Sequence, residues 1–174
     1  MGFHVSWLAT RGVSPESVHT HLKLRETADK EYVPESEVTG VLLPSNWYVV
    51  FFNDAIPPEL EDDVLEALAK DAELMTFVVE EASMVSVARG YAKGRRVWEA
   101  VHDSSKGRTH LEVSGLSPES LAGIRDHLLG KVEDDSADYL FDVPAELSKA
   151  VTGFRHDEDI EGIEGDAFTV LARL

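Results

Sequence analysis

Residues 74–115 constrain the fold more than any other stretch. They read as consecutive antiparallel strands, LMTFVVEEA, SMVSVARGY, RVWEAVHD and THLEVSG, separated by AKGR and SSKGR turns. Lys93-Gly94 and Lys106-Gly107 each supply a glycine for the positive φ of a tight hairpin turn, and β-branched and aromatic residues flank both. The result is a β-meander, against which the rest of the chain is laid.

With Lys93-Gly94 at the centre of the first turn, Ala92 faces Arg95, Tyr91 faces Arg96, Arg89 faces Trp98, Val87 faces Ala100 and Val85 faces His102. The same logic around Lys106-Gly107 places Asp103 opposite His110 and Val101 opposite Glu112. Val85, Val87, Trp98, Ala100, Leu111 and Val113 then form a buried face, with Arg89 and His102 among them. Glu99, Asp103, His110 and Glu112 surround Val97 and Val101 on the other face. A slip of one residue would exchange the two faces.

The flanking segments alternate strands and helices. GFHVSWLATR alternates as a first strand, and Ser14-Pro15-Glu16 supplies an N-cap, a first-turn proline and an acid at the positive helix end, predicting a helix over 14–24. Residues 25–38 are polar, contain Pro34 and read as a surface loop. TGVLLP and NWYVVFFN read as strands, and a second helix is predicted over 58–70 from Leu60, Val64, Ala67 and Leu68.

Through residue 82 the order is β-α-β-β-α-β, that of a ferredoxin-like unit. Beyond the meander come a helix over 117–129, an acidic loop at 133–138, a short extended YLFDVP, a helix over 144–152, a polar loop HDEDIEGIEGD and a last strand, AFTVLARL. The motif GVSPES at 12–17 returns as GLSPES at 115–120, each time joining a strand to a helix. Good capping chemistry accounts for the echo, because the neighbouring segments do not align. The expected fold is therefore a single α+β domain over 1–174, with a mainly antiparallel sheet of about six to eight strands and helices packed on it.

Composition bounds the function. Thirty-three acidic against sixteen basic residues give a formal charge of −17, which repels nucleic acid and anionic membranes. Cysteine is absent, which removes disulfides and thiol chemistry. The longest apolar run, 47–52, has the length of a strand, and the first residues lack the basic start of a secretory leader. A cytoplasmic location without membrane contact is expected.

Glu99, Asp103, His110 and Glu112 are the sharpest candidates for chemistry. A histidine beside an aspartate can act as acid or base, and a hydrolase or other small-molecule enzyme would use His102, Asp103 and His110. No nucleophile elbow, dinucleotide fingerprint or P-loop is present, so no cofactor is expected. No metal is expected either. His19 and His21 are two apart on a helix and diverge, and the Asp157, Asp159, Glu161, Gly162 run fails as a calcium loop because Phe168 stands at its twelfth position.

The second candidate function is binding. Arg89, Lys93, Arg95, Arg96, Lys106 and Arg108 form a local basic excess, although the two hairpin tips lie at opposite ends of the meander. Adjacent Trp47 and Tyr48 point to opposite faces, so either both faces are covered by helices or one ring is exposed as a contact residue. Arg89 beside Trp98 would make a cation–π pair. Trp47, Arg89, Lys93, Arg95, Arg96, Trp98, Glu99 and Glu112 are thus the candidate binding residues. The expected partner is a protein: a second copy, or a basic partner masked as an immunity protein or inhibitor would mask it. The motifs do not add up to a characterised family.

Overall fold

The computed structural model describes residues 2–131 and 138–174, so the expected acidic loop at 133–138 lies outside the described residues except for Asp138. The strands are β1 (His4–Arg11), β2 (Leu24–Glu31), β3 (Val38–Leu42), β4 (Tyr48–Phe52), β5 (Glu73–Glu80), β6 (Val85–Ala92), β7 (Arg95–Asp103), β8 (Glu112–Gly115) and β9 (Phe168–Arg173). The helices are α1 (Pro15–Leu22), α2 (Asp62–Leu68), α3 (Ser120–Gly130) and α4 (Val143–Thr152). The fold is α+β. Its one sheet is antiparallel throughout, in the order β2-β9-β3-β4-β1-β5-β6-β7-β8.

β1 organises the centre. Residues 5–10 are all buried because β1 has a strand on each side and a helix layer on each face. Trp7, Ala9, Val49, Phe51, Met75 and Phe77 point to one layer, where Leu121 and Leu128 of α3, Leu147 of α4 and Phe154 cover them. Leu8, Tyr48, Val50, Phe52 and Leu74 point to the other, under Val18 and Leu22 of α1 and Leu65 and Leu68 of α2. Trp47 and Tyr48 are therefore both buried, one in each layer. Each fully buried side chain of this size contributes roughly 1.5–3 kcal/mol.

The two GxSPES segments behave differently. Ser14 Oγ accepts a hydrogen bond from Ser17 N–H at 3.2 Å and caps α1, whereas α3 starts only at Ser120 with no side-chain cap. Residues 25–31, read as loop, are most of β2. Their side chains are mostly charged and exposed because β2 is an edge strand, paired only to the distant β9. YLFDVP is a 3₁₀ turn, Tyr139–Asp142, running into α4 rather than a strand.

The hairpin between β6 and β7 forms at Lys93-Gly94, both at positive φ (53° and 76°), with Ala92 opposite Arg95 and Tyr91 opposite Arg96 as expected. A bulge between Gly90 and Tyr91 then shifts the register by one. Gly90 faces Trp98, Arg89 faces Glu99, Val87 faces Val101 and Val85 faces Asp103. This corrects the sequence-based pairing of Arg89, Val87 and Val85, and the cause is steric. The Trp98 indole lies over Gly90, where a Cβ would come 1.9 Å from its Nε1.

The bulge divides the meander cleanly. Ala88, Trp98 and Ala100 pack into the α3/α4 layer. Val85, Val87, Arg89, Glu99, Val101 and Asp103 point the other way and are half-buried, since among the described residues only the edge of α2, by Tyr91, reaches that face. A sheet covered on both faces over β3-β4-β1-β5 thus runs out into a shelf, β6-β7-β8, covered on one.

Candidate functional site

Val78, Val87, Val101 and Glu112 stand directly opposite one another across four strands, forming the centre line of the shelf. Toward the Lys93-Gly94 tip, Glu99 Oε2 accepts hydrogen bonds from Arg89 Nε at 2.5 Å and Arg96 Nη1 at 3.1 Å, leaving that end with a surplus cation. Lys93 and Arg96 are exposed there, while Arg95 pairs with Ala92 and lies one residue out of phase with Arg96. At the opposite end stand Glu80 and Asp103, while Glu112, at the edge of the centre line, has Lys106 Nζ at 3.4 Å. Charge thus changes sign along the strands. Alongside the basic end lies α2, with Asp62, Asp63 and Glu66 exposed. Gly94 N–H donates to Ala69 O at 3.1 Å, tying the tip to the end of that helix.

The proposed acid–base residues do not converge. His102 and Asp103 alternate along β7, so their side chains leave opposite faces. His102 is fully buried, with Nδ1 2.6 Å from His110 O and Nε2 2.8 Å from Asp138 Oδ2. The ring thus spans from β7 to the segment before α4 as a tie. Ser104 Oγ reinforces it, 2.8 Å from the same Asp138 oxygen.

Asp103 turns its carboxylate to Ser105, accepting from N–H at 2.9 Å and Oγ at 2.7 Å. These hydrogen bonds hold it below the usual carboxylate range, helped by Lys106 and His110. His110 instead accepts Asp103 N–H on Nδ1 at 2.9 Å, which places its ring proton on Nε2. Glu112 Oε1 lies 3.1 Å from that Nε2, beside the ring N–H but too poorly aligned for a full hydrogen bond. His110 and then Lys106 hold Glu112 below its ordinary value. Every ring nitrogen of the pair thus has a neighbour within the fold.

The remaining candidate aromatics are packed. Trp47 is 4% exposed, with the Arg11 guanidinium 4.7 Å from its ring centre and Arg11 tied to Glu73. Trp98 is 8% exposed over Gly90, with no Arg89 on its face. Among the described residues no three His, Asp or Glu side chains stand where they could hold a metal. No helix among them is long and apolar enough to cross a membrane.

Sequence reasoning missed a cleft at the far side of the sheet. Phe3, Tyr32, Val33 and Pro34 meet residues 154–168 around a concavity of about 320 Å³ lined also by His156, Ile160, Ile163 and Phe168. Two signals pointed to it: an apolar Tyr-Val-Pro inside the polar 25–38 segment, and Ile160 and Ile163 inside an otherwise acidic loop. Neither has a period, which is why neither registers as structure. Comparison with protein-family models, with curated proteins and with solved structures finds no match for this chain.

Proposed function

We propose that this chain is a protein-binding module that associates with a second copy of itself through the shelf. The observation that carries the reading is the uncovered face of β6-β7-β8, with its valine line and its reversal of charge. A two-fold axis parallel to the strands lays the α1–α2 layer of each copy on the other's shelf and keeps the hairpin ends together. The exposed acids of α2, Asp62, Asp63 and Glu66, then come beside Lys93, Arg89 and Arg96 of the partner. Such a contact combines an apolar centre with complementary charges at its rim, the arrangement that gives an interface its register.

The enzyme reading draws less support, because His102, Asp103 and His110 share no pocket and their polar atoms are engaged in holding β7 to its neighbours. Sedimentation decides the binding reading. A dimer at low salt should dissociate, at least in part, between about 0.1 M and about 1 M salt, where the screening length falls from about 10 Å to about 3 Å. Lys93→Glu/Arg96→Glu should give a folded monomer, as should Asp63→Lys/Glu66→Lys, and a mixture of the two variants should re-associate. Wild-type protein that is monomeric under both conditions would sink the reading, as would a dimer indifferent to both pairs of substitutions.

A further inference from the structure

We infer that the cleft between Tyr32–Pro34 and residues 154–168 is a binding site for a small apolar organic cation, an aryl- or alkylammonium. The inference is independent of the shelf, since His156 and Phe154 of the cleft pack on Phe77 and Trp7, on the face of the sheet opposite the shelf. Its volume, about 320 Å³, is at the lower end of the range for small-molecule sites. Phe3 at 40%, Tyr32 at 54% and Val33 at 54% exposure present apolar surface to water around a concavity, where Phe154 and Phe168 are buried behind them. A ligand that covers these groups removes the only large aromatic surface gathered in one place on the described residues.

The charge of the lining sets the ligand's sign. Asp157, Glu158 and Asp159 line the cleft, and no lysine or arginine does. Asp157 is taken by Arg155, at 2.6 and 3.1 Å, and Glu158 is paired with Lys149. Asp159 has only the Tyr32 hydroxyl, donating to Oδ1 at 3.3 Å across the mouth. Its second oxygen is free among the described residues to take an ammonium. Asp159 in turn pushes the Tyr32 hydroxyl's titration upward, so Tyr32 stays a neutral donor.

His156 supplies the second point of recognition. Its side chain is 5% exposed, stacks on Phe77 at 5.1 Å between ring centres, and meets the edge of Phe3 at 4.7 Å. Nδ1 is buried without a hydrogen-bond partner, and the nearest carboxylate oxygen, on Asp157, is 3.9 Å away. Burial lowers the tendency of this ring to protonate, against the pull of Asp157, so it lines the cleft as a neutral imidazole. A neutral imidazole carries one acceptor nitrogen that an ammonium N–H can use, and no charge for an anion to pair with.

Phenethylammonium and its anionic counterpart 3-phenylpropionate separate the alternatives. Amide shifts in an NMR titration of the full chain should map phenethylammonium to residues 154–163 and 32–33, in the roughly millimolar range set by its size. Asp159→Asn, an exposed and conservative change, should weaken binding about tenfold, the scale of one charge-assisted hydrogen bond. His156→Phe, which keeps the stack on Phe77, should also weaken it. Absence of shifts in this region, equal binding of 3-phenylpropionate, or an Asp159→Asn variant that binds as well as the wild type would each overturn the assignment.

Discussion

The two halves of the sheet are built from the same alternation of residues yet differ in what covers them. In β1, Trp7 and Leu8 are neighbours on opposite faces and both have 0% exposure; in β4 the same holds for Val49 and Val50. In β6, Ala88 is likewise at 0%, but its neighbour Val87 is half-buried, and β7 repeats the contrast with Ala100 and Val101. In β1 and β4 the apolar side chains of both faces are covered by the chain's own helices. The second half keeps a strip of half-buried valine. On the proposed reading stability and contact belong to different ends of one sheet, and substitutions should separate them.

The largest effect expected from that contrast is in stability. Trp7→Ala removes a side chain from between Phe77 and Phe154, at 5.9 and 5.1 Å between ring centres, and should cost about 3–5 kcal/mol in urea unfolding. Val87→Ala on the shelf should cost about 1 kcal/mol or less in the monomer, because the site is already wet and can collapse. Hydrogen exchange should follow the same line. The slowest amides are expected in β1, β4 and β5, and the exposed edge strand β8 should exchange early, although it belongs to the meander. Equal losses at Trp7 and Val87 would erase the distinction between the halves.

Gly90→Ala tests the hinge between them. The added methyl would sit 1.9 Å from Trp98 Nε1 and 2.3 Å from Cε2, so the indole must leave its place over the bulge. A loss of about 1–3 kcal/mol is expected, with Trp98 fluorescence shifting to the red as the ring meets water. If the register slides back to the unbulged pairing, Arg89 instead comes opposite Trp98, and the valines of β6 turn toward α4. A variant as stable as the parent with unchanged fluorescence would show that the bulge does not depend on this contact.

That bulge also marks where the sequence stops being legible. The turn at Lys93-Gly94 and its first two cross-strand pairs follow from local chemistry, because glycine answers a local demand for positive φ. The shift at Gly90 follows from an indole eight residues away, which no local rule contains. β2 is hidden for a similar reason. An edge strand exposed on both faces carries no alternation, and its partner β9 is more than a hundred residues distant. At the candidate site, the nearness of Asp103 to His110 was readable from the hairpin, but Asp103 offers His110 its amide and not its carboxylate. The tie from His102 to Asp138 needs tertiary packing to be seen.

The smallest expected effect, and the finest separation of the halves, lies in acid. His19, against Tyr48 with the ring's Nε2 2.6 Å from the hydroxyl, and His156, stacked on Phe77, both belong to the sealed half. Burial lowers the pKa of each below that of an open histidine, opposed by Glu26 and Glu16 at His19 and chiefly by Asp157 at His156. The unfolded chain therefore takes up a proton near pH 6.5 that the folded chain refuses, and stability is lost as pH falls from there toward the lower folded value. On the shelf the sign is the same but the window is lower. Asp103 and Glu112 are held below their ordinary values, so what they contribute is lost only as pH falls below about 4, through their folded pKa values. Urea unfolding at about pH 7.5 and about pH 5.5 should show a loss that His156→Phe reduces and Asp103→Asn leaves unchanged. A wild-type loss between those pH values that survives in His156→Phe but disappears in Asp103→Asn would place the acid-sensitive groups on the shelf and reverse the assignment.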